Sequence, residues 1–186
     1  MFIVLYDEHF LCYTHCGDFM LIKIFRLFTK CLRIKKETLK QFEKTNMKPF
    51  VKEQLLQKMK DGTFEAYHIR VFGKNAAQVH IFYDLYYKNL ADGKNVCYIC
   101  DGFVHPKLRG LGIFTRCLEY IKDVAKEKGF SKITFGVMED NVNARRLYKK
   151  LGFIETGERF GYNAVIVDRN GNPIPQKEYL LMCCEL

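Results

Sequence analysis

The stretch VCYICDGFVHPKLRGLGIF, Val96 to Phe114, decides how the chain is read. It opens as an uncharged apolar run, Val96 to Cys100, that extends to Val104. A run of that length and composition reads as a buried strand. Pro106 has no N–H to give to a ladder, and it pushes His105 out of helical geometry, so the strand is expected to stop near His105. Arg109-Gly110-Leu111-Gly112 follows. From there Ile113, Phe114, Cys117, Leu118, Ile121 and Val124 recur at three- and four-residue spacing, which predicts a helix. Strand, glycine turn and helix together present main-chain N–H groups at the positive end of a helix, where an anion binds. Glycines in such a turn let a phosphate approach the backbone closely.

Two familiar phosphate loops do not fit. The dinucleotide fingerprint needs G-x-G-x-x-G, and the nucleotide P-loop needs G-x-x-x-x-G-K-[ST]. The order here, Arg109-x-x-Gly112, resembles instead the pyrophosphate loop [Q/R]-x-x-G-x-[G/A] of the GNAT superfamily of acyl-CoA-dependent N-acyltransferases. Phe114 stands where that pattern has a small residue, which is a departure. A second stretch, Asn141-Val-Asn-Ala144-Arg-Arg-Leu147-Tyr148-Lys-Lys-Leu-Gly152-Phe153, resembles the family's N-x-x-A-x-x-L-Y-x-x-x-G-F at every fixed position. It starts 32 residues after Arg109, room for one helix and one strand between the two motifs. The resemblance is strong from Val96 to Phe153 and loose on either side.

The resemblance implies an α/β (α+β) fold: a mixed, mostly antiparallel sheet of about seven strands flanked by helices. It implies transfer of an acetyl group from acetyl-CoA, a co-substrate, to a primary amine by direct attack in a ternary complex. The acceptor is a small molecule or a protein amine, no metal cofactor is called for, and there is room for a homodimer. It also implies roles for particular residues. Gly110, Leu111, Gly112, Ile113 and Phe114 offer N–H groups to the pyrophosphate, with Arg109 beside it. The backbone of Phe103 and Val104 runs along the pantetheine arm. Asn141 and Ala144 fall on cofactor-contacting positions, and Asn141 is equally suited to cap a helix. Tyr148 matches the family tyrosine that protonates the departing thiolate.

The general base is not fixed by the sequence. Asp101 lies in an apolar strand where burial is expected to raise its pKa, and Glu139 ends the next strand near the expected amine entrance. His105 is a third choice, although its place before Pro106 suits a turn. Cys117 falls on the apolar stripe of its helix, which argues against a cysteine nucleophile. A non-catalytic CoA-binding or regulatory module on the same fold is the alternative function, since fold alone does not fix activity.

Outward from this centre, residues 1–19 read as an N-terminal extension or extra strand, and residues 20–186 as the acetyltransferase domain. Leu21 to Phe28 is expected as a first strand, Thr29 to Thr45 as a helix, and Asn46 as the cap of a second helix whose Phe50, Val51, Leu55, Leu56 and Met59 face inward. Thr63 to Phe72 and Ala76 to Tyr87 are expected strands around Gly73-Lys74-Asn75. Lys132 to Met138 is a strand and Val142 to Leu151 a helix. Tyr162 to Val167 and Glu178 to Cys184 form a closing antiparallel pair.

The 186 residues suit a single domain. The net charge is +9, and all of it is concentrated between Lys23 and Lys60, where twelve Lys or Arg face three Asp or Glu. A solvated lysine-rich helical pair accounts for this more simply than a nucleic-acid surface, because no nucleic-acid motif accompanies it. Eight cysteines are scattered mostly through predicted strands and helices, like small buried hydrophobes, which suits a reducing cytoplasm. His9, Cys12, His15 and Cys16 have spacing that accommodates zinc, but no second paired set exists, so ordinary packing is the expectation. The opening Met1 to Tyr6 lacks the basic flank of a signal peptide, and no run reaches the roughly 20 apolar residues of a membrane span.

Overall fold

Val96–Val104 forms β4, the middle strand of a seven-stranded sheet. The computed structural model describes residues 32–71, 74–161 and 178–186. Before β4 come β1 (Leu32–Lys36), α1 (Leu39–Phe42), α2 (Pro49–Lys60), β2 (Phe64–Val71) and β3 (Lys74–Phe82). After it come a 3-10 turn (Pro106–Leu108), α3 (Ile113–Glu127), β5 (Lys132–Met138), α4 (Val142–Lys150), β6 (Ile154–Phe160) and β7 (Tyr179–Glu185). The strand order is β1-β2-β3-β4-β5-β7-β6. Every neighbouring pair is antiparallel except β4 with β5, which are parallel and joined through α3.

Alternation along the strands separates two cores. Tyr67, Ile69, Val79, Ile81, Cys97, Ile99, Ile133 and Phe135 meet Ile113, Cys117, Leu118 and Ile121 of α3. Each of those fully buried aliphatic side chains contributes about 1.5–3 kcal/mol of transfer free energy. On the other face Phe42, Phe64 and Ala66 are buried under Leu55, Leu56 and Met59 of α2. Within the first core Glu65 is a buried carboxylate. It accepts from Tyr67 at 2.6 Å and Tyr83 at 2.7 Å, and is paired with Lys36 and, at 3.1 Å, with Lys128.

The parallel ladder between β4 and β5 is short. It joins Val96–Ile99 to Lys132–Phe135 and then ends, although both strands continue. On its other side β4 bulges: His80 of β3 pairs with Cys100 and Gln78 with Phe103, so Asp101 and Gly102 share the place opposite Val79. Asp101 has φ +49°, and among the described residues it is the only non-glycine residue with a positive φ. The bulge turns Cys100 and Asp101 to the same face, where a regular strand would have separated them. The sheet therefore splits beyond Ile99, leaving a wedge between the ends of β4 and β5.

Several expectations are corrected. From residue 32 on, the helix expected from Thr29 to Thr45 is instead β1 followed by the single-turn α1. Leu32-Arg33-Ile34 alternates, and pairing with β2 along its whole length overrides helical propensity. The helix start is marked by Thr38 and Gln41, a capping box in the structure. α2 begins at Pro49 with Lys48 in the cap position, not Asn46, since proline needs no N–H partner in a first turn. Phe50 and Val51 sit on its outer side, 70% and 41% exposed, while Leu55, Leu56 and Met59 face inward as expected. The β3 strand ends at Phe82 rather than Tyr87, where Asp84 turns to bridge Asp92. β7 pairs with β6, a strand directly after Phe153 that the polar run Glu155-Thr-Gly-Glu158 disguised. The expected strands Leu21–Phe28 and Tyr162–Val167, the 1–19 extension and the His9–Cys16 cluster lie outside the described residues.

Candidate active site

Gly110 and Gly112 both have positive φ, +79° and +71°, which turns the chain sharply after the 3-10 turn and aims it into α3. Gly112 is the N-cap of α3, and no side chain caps that helix. Its first-turn N–H groups have no carbonyl within the helix to bond, so they face outward as anion donors. Arg109 lies alongside, its Nε donating to the Val104 carbonyl at 3.2 Å. That bond ties the loop to the end of β4 and keeps the guanidinium beside the loop. A cleft of about 720 Å³ opens here, lined by Gly102, Phe103 and Val104 of β4, by Arg109, Gly110, Gly112, Ile113 and Phe114, and by Asn141, Ala144 and Tyr148 on the α4 side. The loop expected to hold phosphate and the motif 32 residues later thus meet across one groove. Leu111 lies between the two glycines and packs against the core.

Asn141 caps α4, its Oδ1 accepting from the Ala144 N–H at 3.2 Å. The cap leaves its Nδ2 group as a donor. Tyr148 stands in an aromatic nest. Its ring centroid lies 4.3 Å from that of Phe135, 6.3 Å from Phe153 and 6.3 Å from Phe114. Burial raises its pKa, so the hydroxyl keeps its proton at neutral pH.

Phe114 fits the wedge because Gly102 has no side chain. A Cβ at Gly102 would lie 2.5 Å from Phe114 Cζ. The ring turns toward the core, as a partly buried side chain packed on it, and the Phe114 N–H stays in the first turn of α3.

On the opposite face of the sheet, Asp101 Oδ2 is 3.0 Å from His80 Nδ1. His80 is buried and set edge-on against Phe42 and Phe64. The expectation that burial raises the Asp101 pKa is overturned. Its side chain is 55% exposed, and the hydrogen bond from His80 holds its carboxyl below the usual carboxylate range. Glu139 is gripped by Arg159, whose two terminal nitrogens reach its two oxygens at 2.8 and 3.1 Å. His105 serves the turn, its N–H donating to the Ala76 carbonyl at 2.8 Å. Cys117 is buried, and burial pushes its thiol up to about 12. His80 was not singled out in the sequence; a histidine inside the apolar run Ala76 to Phe82 was the available signal.

Residues 32–153 match the model of the acetyltransferase (GNAT) family. The chain belongs to that family. It is 30% identical over 140 residues to the thialysine N-epsilon-acetyltransferase of Bos taurus, covering 71% of this chain and 81% of the relative. It is also 30% identical over 157 residues to the Mus musculus protein of the same name, covering 80% and 84%. Among solved structures, the ribosomal-protein-S18-alanine N-acetyltransferase of Escherichia coli superposes with a TM-score of 0.59 at 16% identity, covering 83% of this chain and 93% of that one. A GNAT acetyltransferase from Elizabethkingia anophelis with acetyl-CoA bound gives 0.58 at 18% identity, covering 84% and 99%. These two establish the fold alone. As a GNAT enzyme, the chain is an N-acetyltransferase that moves an acetyl group from acetyl-CoA to an amine. The groove offers donors that suit an anionic co-substrate: an uncapped helix start with an arginine beside it, at one end of a cleft that runs from β4 to α4. No helix among the described residues is long and apolar enough to cross a membrane.

Proposed function

We propose that the acceptor is the terminal primary amine of a lysine-like or thialysine-like amino acid. The observation that carries this is Asp101, an ionised, half-exposed carboxylate at the split in the sheet, on the face opposite the phosphate loop. Asp101 offers a negative charge to an alkylammonium arriving on the α1–α2 face. The curated relatives, named for thialysine, support the same class of acceptor.

In this reading the diphosphate sits on the first turn of α3 with Arg109, and the pantetheine runs along Phe103 and Val104. The thioester reaches the split between β4 and β5. Asp101 holds the ammonium and relays its proton to water, its own carboxyl being too acidic to keep it, and the free amine attacks the thioester carbonyl. The N–C bond forms, the C–S bond breaks, and Tyr148 gives its proton to the sulfur. The attacking nitrogen's second proton leaves to solvent, and solvent returns one to Tyr148. Asp101 is favoured over Glu139 as the proton acceptor because Arg159 already occupies both Glu139 oxygens. Ordering both reactants in one wedge supplies much of the rate. The described cysteines are all free thiols, which supports a reducing, cytoplasmic setting.

The test is a panel of amines with acetyl-CoA, following thiol release: thialysine, lysine, a polyamine and an alanine-terminated peptide. Thialysine and lysine are expected to turn over fastest. Preference for the peptide or the polyamine would overturn the acceptor class. A chain that melts higher with acetyl-CoA yet acetylates nothing would favour the non-catalytic alternative.

A further inference from the structure

We propose that His80, Cys100 and Asp101 form a binding site for a zinc-class transition-metal ion, and that an ion bound there silences acetyl transfer. The three donors are an imidazole Nδ1, a thiol Sγ and a carboxylate oxygen, and they lie within 4.8 Å of one another. This nitrogen, sulfur and oxygen set is the one Zn²⁺ takes, with its ligand atoms standing about 3.5 Å apart around the metal.

The backbone builds the cluster. His80 and Cys100 are direct cross-strand partners on β3 and β4, so their side chains share a face. The bulge adds Asp101 to that face; without it, the carboxylate would point toward α3. Phe42 and Phe64 fix the imidazole, so one ligand is rigid before metal arrives. Asp101 is half-exposed and Cys100 partly so, and the cluster therefore borders solvent. Zn²⁺ would replace the hydrogen between Nδ1 and Oδ2, with the imidazole carrying its proton on Nε2. The Cys100 thiol would release its proton to solvent.

The inhibitory consequence rests on the acceptor-side role proposed for Asp101. Once bound to metal, that carboxylate can neither hold an ammonium nor relay its proton. Metal capture is read without turnover, so it stands or falls independently of acetyl transfer.

The experiment titrates Co²⁺ into the reduced full chain and into Cys100→Ser. Thiolate-to-cobalt absorption in the near ultraviolet is expected in the parent, with one equivalent of it missing from the variant. Cys12 and Cys16 are present in both proteins and cancel in the difference. Identical spectra from two folded proteins would overturn the site. Should Cys100→Ser not fold, alkylation of Cys100 in the parent, mapped by peptide mass, decides. Zn²⁺ should slow it at least about tenfold, and an unchanged rate would overturn the proposal. With an accepted amine, Zn²⁺ should inhibit the parent and spare Cys100→Ser. Equal inhibition of both would overturn the silencing role while leaving acetyl transfer intact.

Discussion

The ring of Phe114 stands where a side chain on Gly102 would have to go, 2.5 Å from a Cβ placed there. Gly102→Ala should therefore push the ring along the wedge toward Tyr148 and the pantetheine path. Overpacking of this kind costs about 1–3 kcal/mol, less where a ring can swing aside. The expected result is a raised apparent constant for acetyl-CoA with a small loss of melting temperature. Adding Phe114→Leu should recover affinity. A Gly102→Ala protein that binds acetyl-CoA like the parent would mean that the ring and the cofactor path do not meet.

Tyr148→Phe should lower kcat on the order of a hundredfold and leave acetyl-CoA affinity nearly unchanged, as removal of a transition-state proton donor does. The ring remains to fill the nest with Phe135 and Phe153. The acid must be protonated to act, so activity falls as pH rises through its pKa. Burial places that limb above the ordinary tyrosine value of 10.0. The high-pH limb should be present in the parent and missing in the variant; identical pH profiles would remove Tyr148 from the chemistry.

Asp101→Asn keeps the shape of the bulge and one acceptor oxygen for His80 but removes the charge. The parent pKa is depressed by His80, so at neutral pH the group is fully ionised and its loss is fully felt. The amine constant should rise by roughly tenfold or more, kcat should fall, and acetyl-CoA affinity should hold. A variant that loses acetyl-CoA affinity alone would place Asp101 on the cofactor side instead.

Glu65 gives a stability prediction away from the site. Burial alone would raise its pKa, but hydrogen bonds from Lys36, Tyr67, Tyr83 and Lys128 outweigh it and hold it at about 2. A depressed carboxylate stabilises the fold above its unfolded pKa, and that contribution disappears as pH falls through the folded value. Denaturation midpoints should drop between about pH 4.5 and pH 2. Glu65→Gln should cost about 1–3 kcal/mol at neutral pH and flatten that slope. An unaltered slope would assign the acid sensitivity to other carboxylates.

The centre of the chain was legible because its signals are local. An apolar run, a proline, two positive-φ glycines and a 3.6-residue stripe each dictate backbone geometry within a few residues. The edges were not. Leu32–Lys36 becomes a strand only by pairing with β2, and β6 only by pairing with β7, far along the chain. The site shows the same division. Gly112, Asn141 and Tyr148 lie in contiguous motifs, whereas the meeting of His80 with Asp101 depends on register across two strands and on a bulge. Asp101 looked buried because its neighbours in sequence are apolar; the bulge turns it to the surface.

β7 lies between β5 and β6, although it follows both in the chain. During translation, the outer edge of β5 and the whole of β6 wait for Tyr179–Glu185 to leave the ribosome. A nascent or truncated chain that ends before Tyr179 carries open strand edges beside a complete α3, the kind of surface that chaperones hold and that aggregates without them. A stop just before Tyr179 therefore leaves β5 and β6 without the strand that joins them, although nearly all of the sheet's other residues have been made.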